Sequence, residues 1–288
     1  MSRSVTSAVF IGDTHISGKN GLCPANVGID YDCSFNASEA QGYVWRWWEE
    51  FVEGIPRATR GNPYVLVHGG DIIEGVHHRS TGAITNDIQV QVQMAADIMR
   101  PLVDNAAAYY QVAGTPAHDG ESWCDANVVA RLLGAVPYTA RQFVHPELLL
   151  RVGDALVHDT HHISVSGMHR TQATGPQSEH IEQITDAGLC GDEAPLVVVR
   201  HHSHYGKMIG TFFRDGMWGH SIKCPSWQIK GPYPYKTGSR NLASHYGGVV
   251  MNWITDPWGT PQMEIWPFTR GVGRPKPLVI EVPRRRRK

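Results

Sequence analysis

The sequence is poor in cysteine and contains no long apolar run. Its 288 residues include 5 cysteines, and no two of them form a Cys-x-x-Cys pair. This spacing argues against a structural zinc knuckle. No apolar run approaches the roughly 20 residues that a helix needs to cross a bilayer, so we expect no membrane association. No signal peptide precedes the first apolar run, at residues 8–11, and we therefore expect a cytoplasmic protein.

Charged residues are also few, at 18%, whereas 41% of the residues are hydrophobic. This composition is typical of a folded protein, and a chain of this length can bury a large core. The formal net charge is −1, yet five basic residues stand together at 284–288, and the rest of the chain has 21 basic against 27 acidic residues. Such a basic tail can bind nucleic acid through phosphate contacts, although a solvated tail is the simpler interpretation.

Short apolar runs alternate with amphipathic segments, which predicts an α/β fold. We predict strands at residues 9–11, 64–67, 109–112, 148–152, 155–158, 196–199, 249–254, 262–266 and 280–282. We predict helices at residues 37–52, 87–105 and 125–133. We interpret residues 1–283 as one domain with loop elaborations at 17–42 and 206–248, followed by the basic tail.

Histidine is abundant, at 16 residues, and residues of the metal-ligand type follow one predicted strand after another. These elements are Gly12-Asp13-Thr14-His15, Gly70-Asp71, Gly114-Thr115-Pro116-Ala117-His118-Asp119, Asp159-Thr160-His161-His162 and His201-His202-Ser203-His204. Sites in open α/β sheets form beyond the carboxyl ends of the strands, so these elements can converge. Asp-x-His and His-x-His at a strand end each direct two side chains to one face. Carboxylates combined with imidazoles suit Zn, Mn, Fe or Ni.

The order of these elements, from Asp13 to His204, resembles the pattern of the calcineurin-like metallophosphoesterase superfamily. Gly-Thr-Pro-Ala-His-Asp also resembles phage-encoded members of that superfamily. The resemblance implies a four-layer α/β/β/α sandwich of two mixed sheets with flanking helices. It also implies two divalent metal ions and hydrolysis of a phosphoester by a metal-bridging hydroxide.

The resemblance assigns roles to individual residues. It implies that the first metal is held by Asp13, His15 and His204, that Asp71 bridges, and that His161 and His202 hold the second metal. His162 is the alternative to His161, and His158 is a third candidate. His118 would act as general acid or stabilise the leaving group, and Asp119 would orient it.

The sequence departs from the family pattern at two places. The asparagine that binds the second metal in the family is missing, and Thr115 could replace it through its hydroxyl. The glycine before His-x-His is replaced by His201, which either supports a ligand or is exposed.

His78, Arg79 and Lys207 are candidates for binding the substrate phosphate, with ordinary loop polarity as the alternative for His78 and Arg79. Three functions fit these observations. The first is a phosphodiesterase acting on nucleic acid or nucleotides, the second a phosphomonoesterase acting on protein or nucleotide, and the third a non-catalytic module that binds one metal.

Overall fold

The computed structural model of the protein describes residues 5–29, 32–77, 81–162, 174–214, 216–231 and 245–271. The basic tail at 284–288 and the strand predicted at 280–282 lie outside these residues. The strands are β1 (Ser7–Ile11), β2 (Asn26–Gly28), β3 (Ser34–Asn36), β4 (Tyr64–His68), β5 (Ala108–Val112), β6 (Val144–His145), β7 (Leu148–Val152), β8 (Ala155–Thr160), β9 (Val197–Arg200), β10 (Lys207–Arg214), β11 (Met217–Lys223), β12 (His245–Thr255) and β13 (Pro261–Gly271). The helices are α1 (Glu39–Ala58), α2 (Ile88–Val103), α3 (Pro116–Asp119), α4 (Cys124–Leu132) and α5 (Thr174–Cys190).

The strands form two mixed sheets and a small two-stranded ribbon. The first sheet has the order β13-β12-β1-β4-β5-β6, in which β1, β4, β5 and β6 are parallel, β12 is antiparallel to β1, and β13 is antiparallel to β12. The second sheet has the order β10-β11-β9-β8-β7, with β8, β9 and β11 parallel. The ribbon pairs β2 with β3.

Alternating residues of β1 show how the layers are stacked. Val9 and Ile11 pack with the apolar faces of α1, α2 and α4, whereas Ala8 and Phe10 pack with strands of the second sheet, because successive side chains point to opposite faces. Helix α5 lies against β9, β10 and β11 on the outer face of the second sheet. The predicted four-layer α/β/β/α sandwich is therefore confirmed.

The two longest predicted helices form, with boundaries set by their caps. The hydroxyl of Ser38 accepts a hydrogen bond from Gln41 N, and the Gln41 side chain accepts one from Ser38 N, so a capping box fixes the start of α1. Asp87 caps α2 by accepting from the N–H groups of the first turn. Among the described residues, no helix is long and apolar enough to cross a membrane.

The region that we interpreted as a loop elaboration, residues 206–248, contains two strands. β10 and β11 form an antiparallel hairpin that extends the second sheet through β9. The predicted loop at residues 17–42 is also partly ordered, since it holds the ribbon and the start of α1.

Candidate metal centre

The candidate site lies where the parallel strands end. Asp13 and His15 follow β1, and their N–H groups donate to the carbonyls of Gly70 and Asp71, at 3.0 and 3.1 Å, in the segment after β4. These two hydrogen bonds hold the segment after β1 against the segment after β4. Asp13, His15 and Asp71 have φ angles of 50°, 42° and 54°, in the left-handed region.

The segment after β9 adds two more residues in the same conformation, His202 and His204, with φ angles of 64° and 53°. For a residue with a side chain, the left-handed region costs roughly 1–2 kcal/mol. Backbone strain of this kind concentrates at functional sites, where the surrounding structure enforces it. The concentration of strained residues in one crevice therefore marks it as a candidate functional site.

The first cluster consists of Asp13, His15 and His204, whose ligand atoms lie within 4.8 Å of one another. His204 Nε2 is 3.1 Å from Asp13 Oδ1, and His15 Nε2 is 4.0 Å from the same oxygen. Ligand atoms that each lie about 2.1 Å from one ion are about 3–3.5 Å apart, so a small movement of His15 completes the site.

His15 supplies the best test of whether a metal fits. Its side chain is 2% exposed, and within the described part of the chain neither ring nitrogen has a hydrogen-bond partner. Burial, followed by the charge of His118, lowers the pKa of His15 well below its ordinary value, so the ring is neutral and keeps a lone pair. Buried polar atoms without partners are costly, and a metal ion would satisfy this one.

The second cluster consists of Asp13, Asp71, His161 and His202. His161 Nε2 lies 3.3 Å from Asp71 Oδ2 and 3.2 Å from His202 Nδ1. The other ring nitrogen, His161 Nδ1, donates to the carbonyl of Gly69 at 2.6 Å. A carbonyl that accepts from one imidazole nitrogen directs the other toward a metal.

The pair of Asp71 and His161 is electrostatically strong. Burial would raise the pKa of Asp71, but the charge and hydrogen bond of His161, together with the charges of His15 and His118, hold the pKa of this carboxyl well below its ordinary value. Burial would likewise lower the pKa of His161, but Asp71 raises it above its ordinary value. A metal ion that binds here replaces the proton shared by the pair, so binding releases a proton.

Thr115 contacts the carboxylate of Asp71. Its backbone N–H and its hydroxyl both donate to Asp71 Oδ1, at 2.7 and 2.9 Å. The hydroxyl that we considered as a replacement for the missing asparagine therefore supports Asp71. Because these two bonds occupy Oδ1, the other oxygen, Oδ2, is the one directed at His15 and His161.

The structure separates the alternatives for the second-metal histidine. His161 belongs to the second cluster, whereas His162 is exposed and belongs to none of the metal-ligand clusters found among the described residues. His158 lies elsewhere, with Nε2 3.2 Å from Glu147 and Nδ1 3.2 Å from Arg200.

The predicted pairing of Asp119 with His118 is not formed. The buried carboxylate of Asp119 accepts hydrogen bonds from the N–H groups of Gly114, Ile72 and Asp71, at 2.7, 3.2 and 3.4 Å. Burial and the charge of Asp71 raise the pKa of Asp119 to about 7. Asp119 thus holds the segments after β4 and β5 together, because its carboxylate accepts hydrogen bonds from backbone N–H groups of both segments.

His118 lies at the site, but another group orients it. Its Nδ1 donates to the carbonyl oxygen of Glu74 at 2.6 Å, so Nε2 is the nitrogen that faces other groups, with a lone pair in the neutral ring and a proton in the charged one. The ligand atoms of His118, His15 and Asp71 lie within 4.8 Å of one another, and the rings of His118 and His15 meet edge to face at 4.3 Å.

His201 is buried rather than exposed. Its ring fills the space beside Gly12 and Gly69, where a Cβ would approach it to 2.5 and 2.0 Å. His201 Nε2 lies 3.2 Å from the buried carboxylate of Asp159, and the ring is nearly parallel to that of His161, at 6.5 Å. The glycines at the ends of β1 and β4 are the sequence signal for this packing.

Of the substrate-binding candidates, His78 and Arg79 lie outside the described residues. Lys207 begins β10 directly opposite Lys223 of β11, and both line a cavity of about 300 Å³. Burial, followed by the charge of Lys207, lowers the pKa of Lys223 to about 8. Two lysines in this position favour an anion beside the end of the second sheet.

Comparison with known proteins adds little about function. No protein-family model matches the chain, and no curated protein matches it. A crystal structure of Chaetomium thermophilum Vps29 aligns with 93% of this chain and 98% of its own, at 9% identity and a TM-score of 0.40. A structure of the same protein complexed with the RaPID-derived cyclic peptide RT-D3 aligns with 93% and 97%, at 9% identity and a TM-score of 0.35. Likeness at this level supports no conclusion about activity, which must be argued from the site.

Proposed function

We propose that the protein is a metal-dependent phosphoesterase, and more specifically a phosphodiesterase that acts on nucleic acid or nucleotides. The position of Asp71 is the main support, because its Oδ2 lies 3.9 Å from His15 of the first cluster and 3.3 Å from His161 of the second. A carboxylate in this position can hold two ions at once. Two ions about 3.5–4 Å apart bind a phosphate and activate water for its hydrolysis.

The side chains around the two clusters would position the reacting groups. Thr115 fixes the orientation of Asp71 through two hydrogen bonds. The Glu74 carbonyl fixes the ring of His118, so its Nε2 can deliver a proton to the leaving oxygen. Lys207 and Lys223 would attract the phosphate.

A positioned acid favours esters with a poor leaving group over activated esters. The leaving group of a natural phosphodiester is an alkoxide of high pKa, which gains most from protonation in the transition state. His118, half-buried next to the first cluster, is in a position to supply that proton.

Substitution of Asp71 tests the proposal. We expect Asp71→Asn to reduce Mn²⁺- or Zn²⁺-supported hydrolysis of bis-nitrophenyl phosphate by at least about 100-fold, because the second cluster loses a charged ligand and His15 of the first cluster loses the carboxylate beside it. Elemental analysis should show fewer ions per chain. Asp97→Asn, an exposed substitution on α2, is the matched control and should change neither quantity. Wild-type protein that is loaded with metal and cleaves no phosphoester would overturn the proposal.

A comparison of substrates tests the diester assignment separately. We expect a higher kcat/KM for bis-nitrophenyl phosphate than for nitrophenyl phosphate, and the opposite order would make the protein a phosphomonoesterase.

The alternative of a non-catalytic module is favoured by one observation, namely that the hydroxyl of Thr115 contacts Asp71 where the family places an amide ligand. One ion per chain together with no hydrolysis would support that module.

A further inference from the structure

A third group of metal-ligand side chains lies beside the candidate centre. The ligand atoms of Glu74, His77 and His118 lie within 4.8 Å of one another. Glu74 and His77 belong to the segment after β4, and His118 belongs to α3. The group has no member of the two clusters described above, although His118 also lies within 4.8 Å of ligand atoms of His15 and Asp71. An ion held by Glu74, His77 and His118 would be additional to the two that the family resemblance implies.

The packing of this group keeps the carboxylate and the two rings close together. A Cβ at Gly18 would lie 2.7 Å from Glu74 Oε2, and one at Gly75 would lie 2.6 Å from the carbonyl oxygen of Ala117. Glycine at these two positions therefore leaves room for the Glu74 carboxylate and lets its segment lie against α3. Gly75 also has a φ of 71°, which favours glycine.

The Glu74 carboxylate lies close to the imidazoles of His77 and His15 and accepts a hydrogen bond from Gln228 Nε2 at 3.4 Å. Glu74 Oε1 lies 3.7 Å from His77 Nε2, and Glu74 Oε2 lies 3.7 Å from His15 Nδ1, both too long for hydrogen bonds. The rings of His77 and His118 are 4.6 Å apart and nearly perpendicular. A divalent ion between them would compensate the carboxylate.

The ring of His118 is prepared for metal binding. Because Nδ1 donates to the Glu74 carbonyl, the lone pair is on Nε2, and a backbone carbonyl is a usual outer partner of a metal-binding histidine. One glutamate and two histidines form the ligand set of many catalytic zinc sites, which keep a further position open for water or substrate.

We propose that Glu74, His77 and His118 form a third metal site that binds a divalent transition ion such as Zn²⁺. The imidazole of His15 separates this site from the first cluster, with Nε2 toward Asp13 and Nδ1 toward Glu74. A catalytic role for this third site depends on the proposed function. An ion bound to His118 Nε2 would stabilise the leaving oxygen by its charge, in place of the proton that His118 donates when this site is empty.

Counting bound ions tests the site without any assay of activity. Protein equilibrated with buffered Zn²⁺ is separated from free metal and analysed for zinc per chain. We expect three ions in the wild type and two in the double variant Glu74→Gln/His77→Ala. The matched control is His162→Ala, which removes an exposed imidazole outside the three clusters and should keep three ions.

The Asp71→Asn variant separates this inference from the proposed function. It should lose ions from the candidate centre but keep the ion at Glu74, His77 and His118. If the double variant does not fold, as judged by circular dichroism, His77→Gln alone replaces it and should also remove one ion. Two ions or fewer in the wild type, unchanged in these variants, would overturn the third site even if phosphoesters are cleaved. Three ions without hydrolysis would support the third site and contradict the proposed function.

Discussion

Thr115 shows how one hydroxyl can control a metal ligand. Its Oγ1 donates to Asp71 Oδ1 at 2.9 Å, next to the bond from its own backbone N–H. We expect Thr115→Val to remove the first bond and keep the second, because valine has the same shape. Loss of a group that hydrogen-bonds to a metal ligand lowers metal affinity about 10–100-fold. We expect Thr115→Val to lower zinc affinity by an amount at the lower end of this range. Titration of Zn²⁺ against a chromophoric chelator measures the loss.

The control for this substitution is Thr185→Val on α5. It also deletes a hydroxyl hydrogen bond, to the carbonyl of Ile181, but far from the candidate centre. Equal zinc affinity in Thr115→Val and in the wild type would show that the hydroxyl has no part in orienting Asp71.

The neighbours His118 and Asp119 should respond to substitution in opposite ways. Asp119→Asn leaves buried N–H groups without a charged acceptor, so we expect it to lower the free energy of unfolding by about 2–3 kcal/mol. We expect His118→Ala to lower kcat about 100-fold or more with little change in stability, because its ring is half-buried and serves the reaction. Urea denaturation and diester hydrolysis, measured on both variants, separate the two roles. A stability loss in His118→Ala as large as that in Asp119→Asn would contradict this division.

The site residues differ in how visible they are in the sequence. Asp13, His15 and His204 occur in short motifs at the ends of apolar runs, and the structure brings them together. Glu74 and His77 join the site only because the segment after β4 folds back against α3, a contact between residues distant in sequence. No local pattern predicts such a contact, so sequence reasoning assigns neither residue to a metal.

At the scale of elements, strands with buried residues throughout, such as β4 and β9, are predicted correctly. Strands covered on both sides are continuous apolar runs, which are easily recognised. The hairpin of β10 and β11 escapes prediction because it contains glycines, which suggest turns. In the structure these glycines lie under aromatic rings of the neighbouring strand, with Gly219 opposite Phe212.

This packing makes Gly219 a sensitive position. A Cβ there would lie 2.2 Å from the ring of Phe212, so the ring or the strand must move. Overpacking of this kind costs about 1–3 kcal/mol, and we expect Gly219→Val to lower the free energy of unfolding by that amount. Gly188→Ala in α5 is the control, and it should raise the free energy of unfolding instead of lowering it. Its Cβ meets no atom within 4 Å, and alanine in a helix should stabilise by about 0.4–1 kcal/mol.

Urea denaturation monitored by circular dichroism measures both glycine variants. Unchanged stability of Gly219→Val would mean that the ring of Phe212 does not cover this position in solution.

At the scale of the whole molecule, the candidate centre joins the two sheets. Asp13 follows β1 of the first sheet and His202 follows β9 of the second, and His202 N donates to Asp13 Oδ2 at 3.1 Å. His161, at the end of β8, donates to Gly69 after β4. An ion shared by these residues would therefore connect both halves of the sandwich. Its removal should affect the stability of the entire fold.

We expect chelation of the metal to lower the melting temperature. An ion present at 100 times its dissociation constant stabilises the folded state by about 2.7 kcal/mol. For a chain of this size that amounts to roughly 5 °C or more. Differential scanning calorimetry with and without EDTA measures the shift, and added Zn²⁺ or Mn²⁺ should reverse it. The Asp71→Asn variant should show a much smaller shift, because its centre binds metal poorly. If EDTA lowers the melting temperature of this variant as much as that of the wild type, the stabilising ion is bound elsewhere.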